Sequence, residues 1–200
     1  MRKSNFLFWK DVIFNLRVMR KNKAYKILVA GHFGAGKTTF IKTISQIKTL
    51  ETEKKTTLEE EKSKKATTTV AMDYGEWEVN GKKLHIFGIP GQERFSFMWP
   101  ILAKNTVGFI YLLDSTDDSR WYEVFKQIAM FRKISPKAPF IFAANKQDMP
   151  NAMSIEEIKQ KLKLPEQFEI VPLVAFDKEQ VAKVLEKLLE KIEERQLMET

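Results

Sequence analysis

Apolar segments of strand length alternate with segments of helical periodicity along most of the chain. Continuous apolar runs, typical of strands buried on both faces of a sheet, are followed by segments whose apolar residues recur every three or four positions. The strand-like segments are 26–30, 69–79, 82–89, 107–113, 139–144 and 169–174, and the helix-like segments are 38–47, 119–133, 154–164 and 177–195. This alternation predicts an α/β fold, with a six-stranded, mostly parallel sheet and helices on both faces. Asn80-Gly81 predicts a hairpin and therefore one antiparallel pair.

One segment interrupts this alternation. Residues 48–65, KTLETEKKTTLEEEKSKK, carry many charges of both signs and no apolar period. Such a composition predicts a solvated, mobile loop, with a short surface helix as the competing interpretation. We therefore expect one domain over residues 24–200, interrupted by a charged loop at 48–66 and preceded by an N-terminal arm, residues 1–23.

Length and composition fit a single soluble domain with a full core. The chain has 200 residues and no cysteine, which excludes disulfides and thiolate zinc sites. With two histidines, a histidine-built metal site is not expected. No apolar run approaches the ~20 residues that a membrane span needs. These features agree with a cytoplasmic protein.

The net charge of +8 is concentrated at the N-terminus. Residues 1–26 hold eight Lys/Arg against Asp11. On a helical wheel, one side of the arm carries the apolar side chains Phe8, Val12, Leu16 and Met19. Another side carries the basic side chains Lys10, Arg17 and Lys21. Such an arm can lie on an anionic membrane surface, dock on a partner or on its own domain, or stay disordered. Nucleic-acid binding is not expected, because the domain itself lacks a basic face.

A phosphate-binding motif lies between the first strand and the first helix. GHFGAGKT, residues 31–38, matches G-x-x-x-x-G-K-[ST] without a mismatch. Its backbone N–H groups cradle phosphates, Lys37 lies by the β- and γ-phosphates, and the Thr38 hydroxyl ligates magnesium. The predicted phosphate contacts within this element are Gly34, Ala35, Gly36, Lys37, Thr38 and Thr39.

A second motif specifies the base. NKQD, residues 145–148, follows the fifth apolar run. The Asp148 carboxylate can accept two hydrogen bonds from guanine, whereas adenine offers no such pair. Asn145 would bridge the base to the phosphate loop, and the Lys146 stem would cover the base plane. At the end of the last strand, Ala175 offers a backbone N–H to the guanine carbonyl, with Phe176 beside it.

Together these motifs resemble the Ras-like small GTPases, and within them the bacterial and archaeal MglA-type branch. The likeness spans residues 24–193 and is most specific in TTTVAMDYG, residues 67–75, and IFGIPGQERFSFMW, residues 86–99. It implies a three-layer P-loop NTPase fold, the Ras-like G domain, and hydrolysis of GTP to GDP with Mg²⁺. It also implies a GTPase-activating or effector partner, which in this branch is a roadblock-domain protein.

The resemblance assigns the switch residues. Thr69, within the run Thr67–Thr69, matches the threonine that ligates Mg²⁺ in the GTP state. Gly91 matches the glycine whose N–H reaches the γ-phosphate, and Gln92 matches the glutamine that orients the attacking water. Gly88 falls where many Ras-like proteins have a magnesium-holding aspartate. Asp73 is the candidate substitute; the alternative is a polar side chain at a strand edge.

Two features after Gln92 bear on partners. Arg94 is a candidate arginine for the γ-phosphate, with surface or partner contact as the alternative. The apolar and aromatic segment that follows supports a partner face formed by Phe95, Phe97, Met98 and Trp99, with packing of some of these residues beneath the switch as the alternative.

The resulting hypothesis is a GTP-binding switch with slow intrinsic hydrolysis that a partner accelerates. Gly88 leaves open a GTP-binding scaffold with little or no hydrolysis. A P-loop ATPase is the third hypothesis, and the NKQD motif argues against it.

Overall fold

The structure, a computed structural model, describes residues 24–51, 72–164 and 168–198. Its strands are β1 Tyr25–Ala30, β2 Leu50–Glu51, β3 Asp73–Val79, β4 Lys82–Gly88, β5 Gly108–Asp114, β6 Phe140–Asn145 and β7 Ile170–Pro172. Its α-helices are α1 Lys37–Ile44, α2 Trp99–Ala103, α3 Tyr122–Ile134, α4 Ile155–Leu162 and α5 Lys178–Leu197. A 3₁₀-helix, Glu93–Met98, precedes α2. The arm, residues 1–23, lies outside the described residues.

The strands form one sheet in the order β2-β3-β4-β1-β5-β6-β7. β3 is antiparallel to β2 and β4, and the remaining pairs are parallel. The six predicted strands are therefore confirmed. The additional strand, β2, corrects the prediction of a loop at the start of segment 48–65, while the rest of that segment, from residue 52, lies outside the description.

Side chains from both faces of the sheet are buried under helices, which gives the predicted three layers. One core, beneath α2, α3 and α4, is centred on Tyr111, Phe131 and Phe142. The other, beneath α1 and α5, is built from aliphatic side chains such as Ile110 and Leu188. In the parts of the chain that the structure describes, every helix is too short or too polar to cross a membrane.

Helix α1 ends three residues before the predicted boundary. Instead of continuing the helix, the Gln46 N–H bonds the carbonyl oxygen of Glu76 in β3 at 2.8 Å. Ile47, which the periodicity placed on the buried side, is 40% exposed. The edge of the sheet thus competes successfully for the backbone donor that the helix would have used.

Of the four residues assigned to a partner face, three instead follow the alternative of packing beneath the switch. Phe95, Met98 and Trp99 are buried, and the Trp99 indole N–H donates to the Pro90 carbonyl at 3.0 Å. Phe97 alone of the four is exposed, at 60%. The 3₁₀-helix and α2 therefore turn three of these side chains into the core.

Candidate functional site

The carboxyl ends of the parallel strands meet at one edge of the sheet, where α/β proteins bind ligands. The phosphate loop connects β1 to α1 at this edge. Gly34 and Gly36 have φ angles of 86° and 98°, a region that favours glycine. Gly36 is also the residue that caps α1. Both glycines thus adopt the backbone conformation that the curled loop of the motif requires.

Lys37 is buried beneath the phosphate loop. Its ammonium donates to the carbonyl oxygens of Gly31, at 2.9 Å, and His32, at 2.7 Å. An ammonium carries three N–H donors, so one stays available for a phosphate oxygen. Burial lowers the pKa of Lys37 from 10.5 to about 8. A bound polyphosphate would supply the negative charge that favours the protonated form.

Thr38 and Asp73 come together at the predicted metal position. The Thr38 hydroxyl donates to Asp73 Oδ2 at 2.6 Å. Asp73 is the cross-strand neighbour of Gly88 in the β3–β4 pair. A Cβ added at Gly88 would lie 3.1 Å from Asp73 Oδ2 and 2.9 Å from Ile41 Cδ1. Because Gly88 has no side chain, a space remains beside the Asp73 carboxylate.

Gly91 packs directly on the phosphate loop. A Cβ added there would lie 2.6 Å from both the His32 carbonyl carbon and the Phe33 nitrogen, so only glycine fits without displacement. Gln92 follows, half-buried, as the residue before the 3₁₀-helix. The side chain of Arg94 and all of Thr69 lie outside the description, so their assignments stay predictions.

Asn145 ties the base side of the site to the phosphate loop. Its Nδ2 donates to the Ala35 carbonyl at 2.9 Å, and its Oδ1 accepts the Ala175 N–H at 2.8 Å. Asn145 therefore links the phosphate loop to the segment of Ala175, and its contact with the base stays a prediction. The Ala175 N–H differs from expectation, because it is donated to Asn145 here and not held free for guanine.

The rest of the predicted guanine site surrounds Asn145. Lys146 has a positive φ of 70° and forms an ion pair with Asp114. Against the effect of burial, hydrogen bonds from Lys146 and Thr116 hold the pKa of Asp114 below its usual value. Asp148 and Phe176 are exposed, Phe176 at 67%. They are thus open to contact a base.

Two residues near the site were missed in the sequence. Asp114 pairs with Lys146. It could have been found in the sequence as a carboxylate at the carboxyl end of a buried strand. Arg120, in the loop after β5, forms an ion pair with Glu123 at 2.8 Å. No sequence motif marks Arg120.

The oxygen ligands expected for Mg²⁺ are few among the described side chains. Within residues 24–51, 72–164 and 168–198, no group of three or more His, Cys, Asp or Glu side chains could hold a metal ion. Mg²⁺ typically binds one or two protein oxygens and completes its shell with phosphate oxygens and water. A hydroxyl and a carboxylate in contact, as at Thr38 and Asp73, fit that ligand set.

Comparison with known proteins gives one consistent result. A family model described as "ADP-ribosylation factor family" matches residues 12–192. ADP-ribosylation factor-related protein 1 of Rattus norvegicus is 33% identical over 147 residues, covering 72% of this chain and 69% of that protein. ADP-ribosylation factor-like protein 1 of Saccharomyces cerevisiae is 29% identical over 183 residues, covering 88% and 92%.

A solved structure shares the fold. It is the Arl6 BBS3 small GTPase of Trypanosoma brucei with the bound nucleotide analogue GppNp. Its TM-score is 0.65 at 22% sequence identity, and the match covers 86% of this chain and 99% of that one.

Proposed function

Because this chain belongs to the ADP-ribosylation factor family of small GTPases, we propose that it is a magnesium-dependent switch whose slow GTP hydrolysis is accelerated by a protein partner. GTP binding and GTP hydrolysis come with the family. The predicted membership of the Ras-like superfamily is thereby confirmed. The likeness to the MglA-type branch stays a prediction.

The contact between Thr38 and Asp73 is the observation that carries the magnesium part of this proposal. Mg²⁺, when bound, neutralises charge on the β- and γ-phosphates. Thr38, Asp73 and, in the GTP state, Thr69 would hold it. The carboxylate that many relatives of the Ras-like superfamily carry on the strand of Gly88 is here supplied by the neighbouring strand β3.

The hydrolytic roles fall to three residues of the chain. Lys37 binds the γ-phosphate with its remaining donor, and the Gly91 N–H contacts the same group. Gln92 orients the attacking water. Hydrolysis stays slow as long as no arginine contacts the γ-phosphate, because such an arginine contributes roughly 10³–10⁵ in rate.

The base site selects guanine. Asp148 accepts the guanine ring N–H and amine, Lys146 and Phe176 cover the base, and Asn145 holds the loop of Ala175 in place. Guanine recognition through the Ala175 N–H requires that this donor be shared with Asn145 Oδ1.

The partner side of the proposal rests on the segment after Gln92. Phe97 is the exposed aromatic of that segment, and we take it as the contact point of a GTPase-activating or effector protein. The resemblance to MglA-type proteins implies a roadblock-domain partner. Contact of residues 1–23 with the inner membrane surface is the corresponding proposal for the arm.

Single-turnover hydrolysis of GTP and ATP by the full-length protein tests the proposal. We expect slow cleavage of GTP alone, dependent on Mg²⁺, accelerated by a roadblock-domain protein and lost in Gln92→Leu. Phe97→Ser is the matched surface variant, with unchanged intrinsic rate and a reduced response to the partner. Tight GTP binding without cleavage under either condition would identify the chain as a GTP-binding scaffold, and ATP cleavage would contradict the base assignment.

A further inference from the structure

The loop 145–153, which carries the NKQD motif, is closed onto the residue that follows β5. The Ser115 N–H donates to the Asn145 carbonyl oxygen at 3.0 Å, and the Met153 N–H donates to the Ser115 carbonyl oxygen at 2.8 Å. Ser115 is fully buried. Both ends of the loop are therefore bonded to the backbone of one residue in the connection between β5 and α3.

Gln147 ties the middle of this loop to the same residue. Its side-chain Nε2 donates to Ser115 Oγ at 2.8 Å and to the Met153 carbonyl oxygen at 3.1 Å. Because a carbonyl oxygen can only accept, the second contact fixes which end of the amide is the nitrogen. The Gln147 backbone N–H donates to the Leu173 carbonyl oxygen at 3.2 Å. Gln147 thus joins the end of β5, its own loop and the residue after β7.

A tight turn carries the carboxylate of the motif. The Met149 N–H donates to the Lys146 carbonyl oxygen at 3.0 Å, so Gln147 and Asp148 are the central residues of the turn 146–149. Lys146 has a φ of 70°, a conformation that costs energy for a lysine and persists only where surrounding contacts hold it. The ion pair of Lys146 with Asp114 is one such contact. The bonds of the Gln147 side chain are others.

The two central side chains of the turn have different surroundings. Gln147 is half-buried, with its amide bonded to Ser115 and Met153, whereas Asp148 is exposed. The direction of an exposed carboxylate depends on the backbone that carries it. Two hydrogen bonds from one base to one carboxylate require both oxygens to lie near the plane of that base. The bonds that hold the turn therefore decide whether Asp148 can accept both.

We propose that Gln147 is a specificity-determining positioning residue for guanine: its bonds to Ser115 and Met153 hold the turn so that both oxygens of Asp148 face the ring N–H and the exocyclic amine of the base. This inference rests on the proposed base site at Asp148. Gln147 contacts neither the base nor the phosphates. It acts through the direction of two hydrogen bonds to a charged acceptor, which weaken when their geometry departs from linearity.

Affinities for GDP and inosine diphosphate (IDP) test this role in the full-length protein. Hypoxanthine, the base of IDP, keeps the ring N–H of guanine and lacks the amine, so the ratio of GDP to IDP affinity measures the second hydrogen bond to Asp148. We expect the wild type to prefer GDP by about tenfold or more. Gln147→Met keeps the side-chain length, removes the amide donors and should lower this ratio about threefold or more. Gln160→Met, the same change at an exposed position of α4, is the matched control and should leave the ratio unchanged.

A second variant tests the bond between Gln147 and Ser115. Ser115→Ala removes one of the two acceptors of the Gln147 amide and should lower the ratio by a smaller factor than Gln147→Met. When it is combined with Gln147→Met, Ser115→Ala should have no further effect on the ratio, because the donor is already absent. Independent effects that multiply in the double variant would overturn the proposal.

A purely structural role of Gln147 gives a different result. If the residue only stabilises the loop, Gln147→Met will weaken GDP and IDP binding by the same factor, and the unchanged ratio would overturn the proposal. Asp148→Ala separates this inference from the proposed base site. A ratio that falls in Asp148→Ala but not in Gln147→Met would refute only the role of Gln147. A wild-type ratio near one, or a ratio unchanged in Asp148→Ala, would remove the base assignment and this inference with it.

Discussion

At the scale of single residues, the proposed metal site depends on which strand carries the carboxylate. We expect Asp73→Ala to weaken the apparent Mg²⁺ affinity of the GTP-bound protein about tenfold, because one charged oxygen is lost beside Thr38. The readout is the Mg²⁺ dependence of the dissociation of a fluorescent GTP analogue. Glu78→Ala, an exposed carboxylate on the same strand, is the control. Equal Mg²⁺ affinity in Asp73→Ala and wild type would exclude Asp73 from the site.

A paired substitution sharpens the same prediction. Gly88→Asp alone places a second carboxylate against Asp73 and Ile41, and it should impair folding or Mg²⁺ binding by crowding and like-charge repulsion. Gly88→Asp combined with Asp73→Asn removes the repulsion and should recover a large part of the lost Mg²⁺ affinity. A double variant no better than Gly88→Asp would show that the two positions are not interchangeable.

The protonation of Lys37 predicts a pH dependence of nucleotide affinity. With its pKa lowered to about 8, Lys37 in the free protein loses its proton as pH rises through 8, whereas a bound polyphosphate keeps it protonated. Above pH 8, binding therefore takes up a proton, and GDP affinity should fall by up to about tenfold per pH unit. Affinities between pH 7 and 9 measure this.

The control for that titration is Lys37→Met, which should bind GDP weakly and retain only the pH dependence of the nucleotide itself. A wild-type slope equal to the slope of this variant would contradict the assignment to Lys37. The same pKa has a separate effect on folding. Between pH 8 and 10.5 the unfolded chain keeps the lysine proton that the folded chain has lost, so the contribution of Lys37 to stability rises with pH in that window.

The sequence predicted the separate site residues better than their contacts. The motifs pointed to Lys37, Thr38 and Asn145, because their spacing follows from the phosphate and base that these residues are proposed to bind. The contact of Asp73 with Thr38 depends on strand register. The two-residue turn Asn80-Gly81 pairs Val79 with Lys82, and that register carries Asp73 opposite Gly88. The pairing of Asp73 with Gly88 could thus have been predicted from the sequence. The position of Arg120 could not, because it depends on how the loop between β5 and α3 folds.

At the scale of elements, helix α3 carries an uncompensated polar group. Gln127 is fully buried on the inner side of α3, and neither its amide oxygen nor its amide nitrogen has a partner within the described chain. Gln127→Met keeps the length of the side chain and removes the unsatisfied amide. We expect it to stabilise the protein by about 1–2 kcal/mol, measured by chemical denaturation with GDP present in excess.

The neighbouring position Ala129 supplies the control for α3. It lies on the exposed side of the same helix, and Ala129→Gln should change the stability by less than about 0.5 kcal/mol. If Gln127→Met destabilises the protein, the amide has a partner such as an internal water molecule, and the buried group is a satisfied one.

Elements with strong periodicity were predicted well, and the segment after Gln92 was not. Its apolar residues fit neither a strand nor a long helix, because a 3₁₀-helix of six residues is followed by a five-residue α-helix. Composition alone could not separate the buried Trp99 from the exposed Phe97. The burial of Trp99 depends on the turn at Pro90, which accepts its indole N–H.

At the scale of the whole molecule, alternation of strands and helices gave the fold class, but the strand order needed the structure. Continuous apolar runs identify β1, β5 and β6 as buried strands without saying which is central. The position of β1 between β4 and β5 brings the phosphate loop next to both Gly91 and Leu112 of β5. Neither contact is local in sequence. The motifs could therefore identify the candidate site residues but could not predict which of them touch.

The distribution of charge over the whole chain predicts how the molecule behaves at a membrane. Seven of the 34 Lys/Arg and one of the 26 Asp/Glu lie in residues 1–23, so the arm carries +6 of the net +8. We expect the full-length protein to sediment with anionic vesicles at low salt and to be released at high salt, because surface charge attraction is screened. A chain beginning at Ala24 should stay in the supernatant, and neutral vesicles provide the control for apolar insertion. Equal sedimentation of both chains would assign membrane contact to the domain, and no sedimentation of either would leave the arm to bind a protein partner or its own domain.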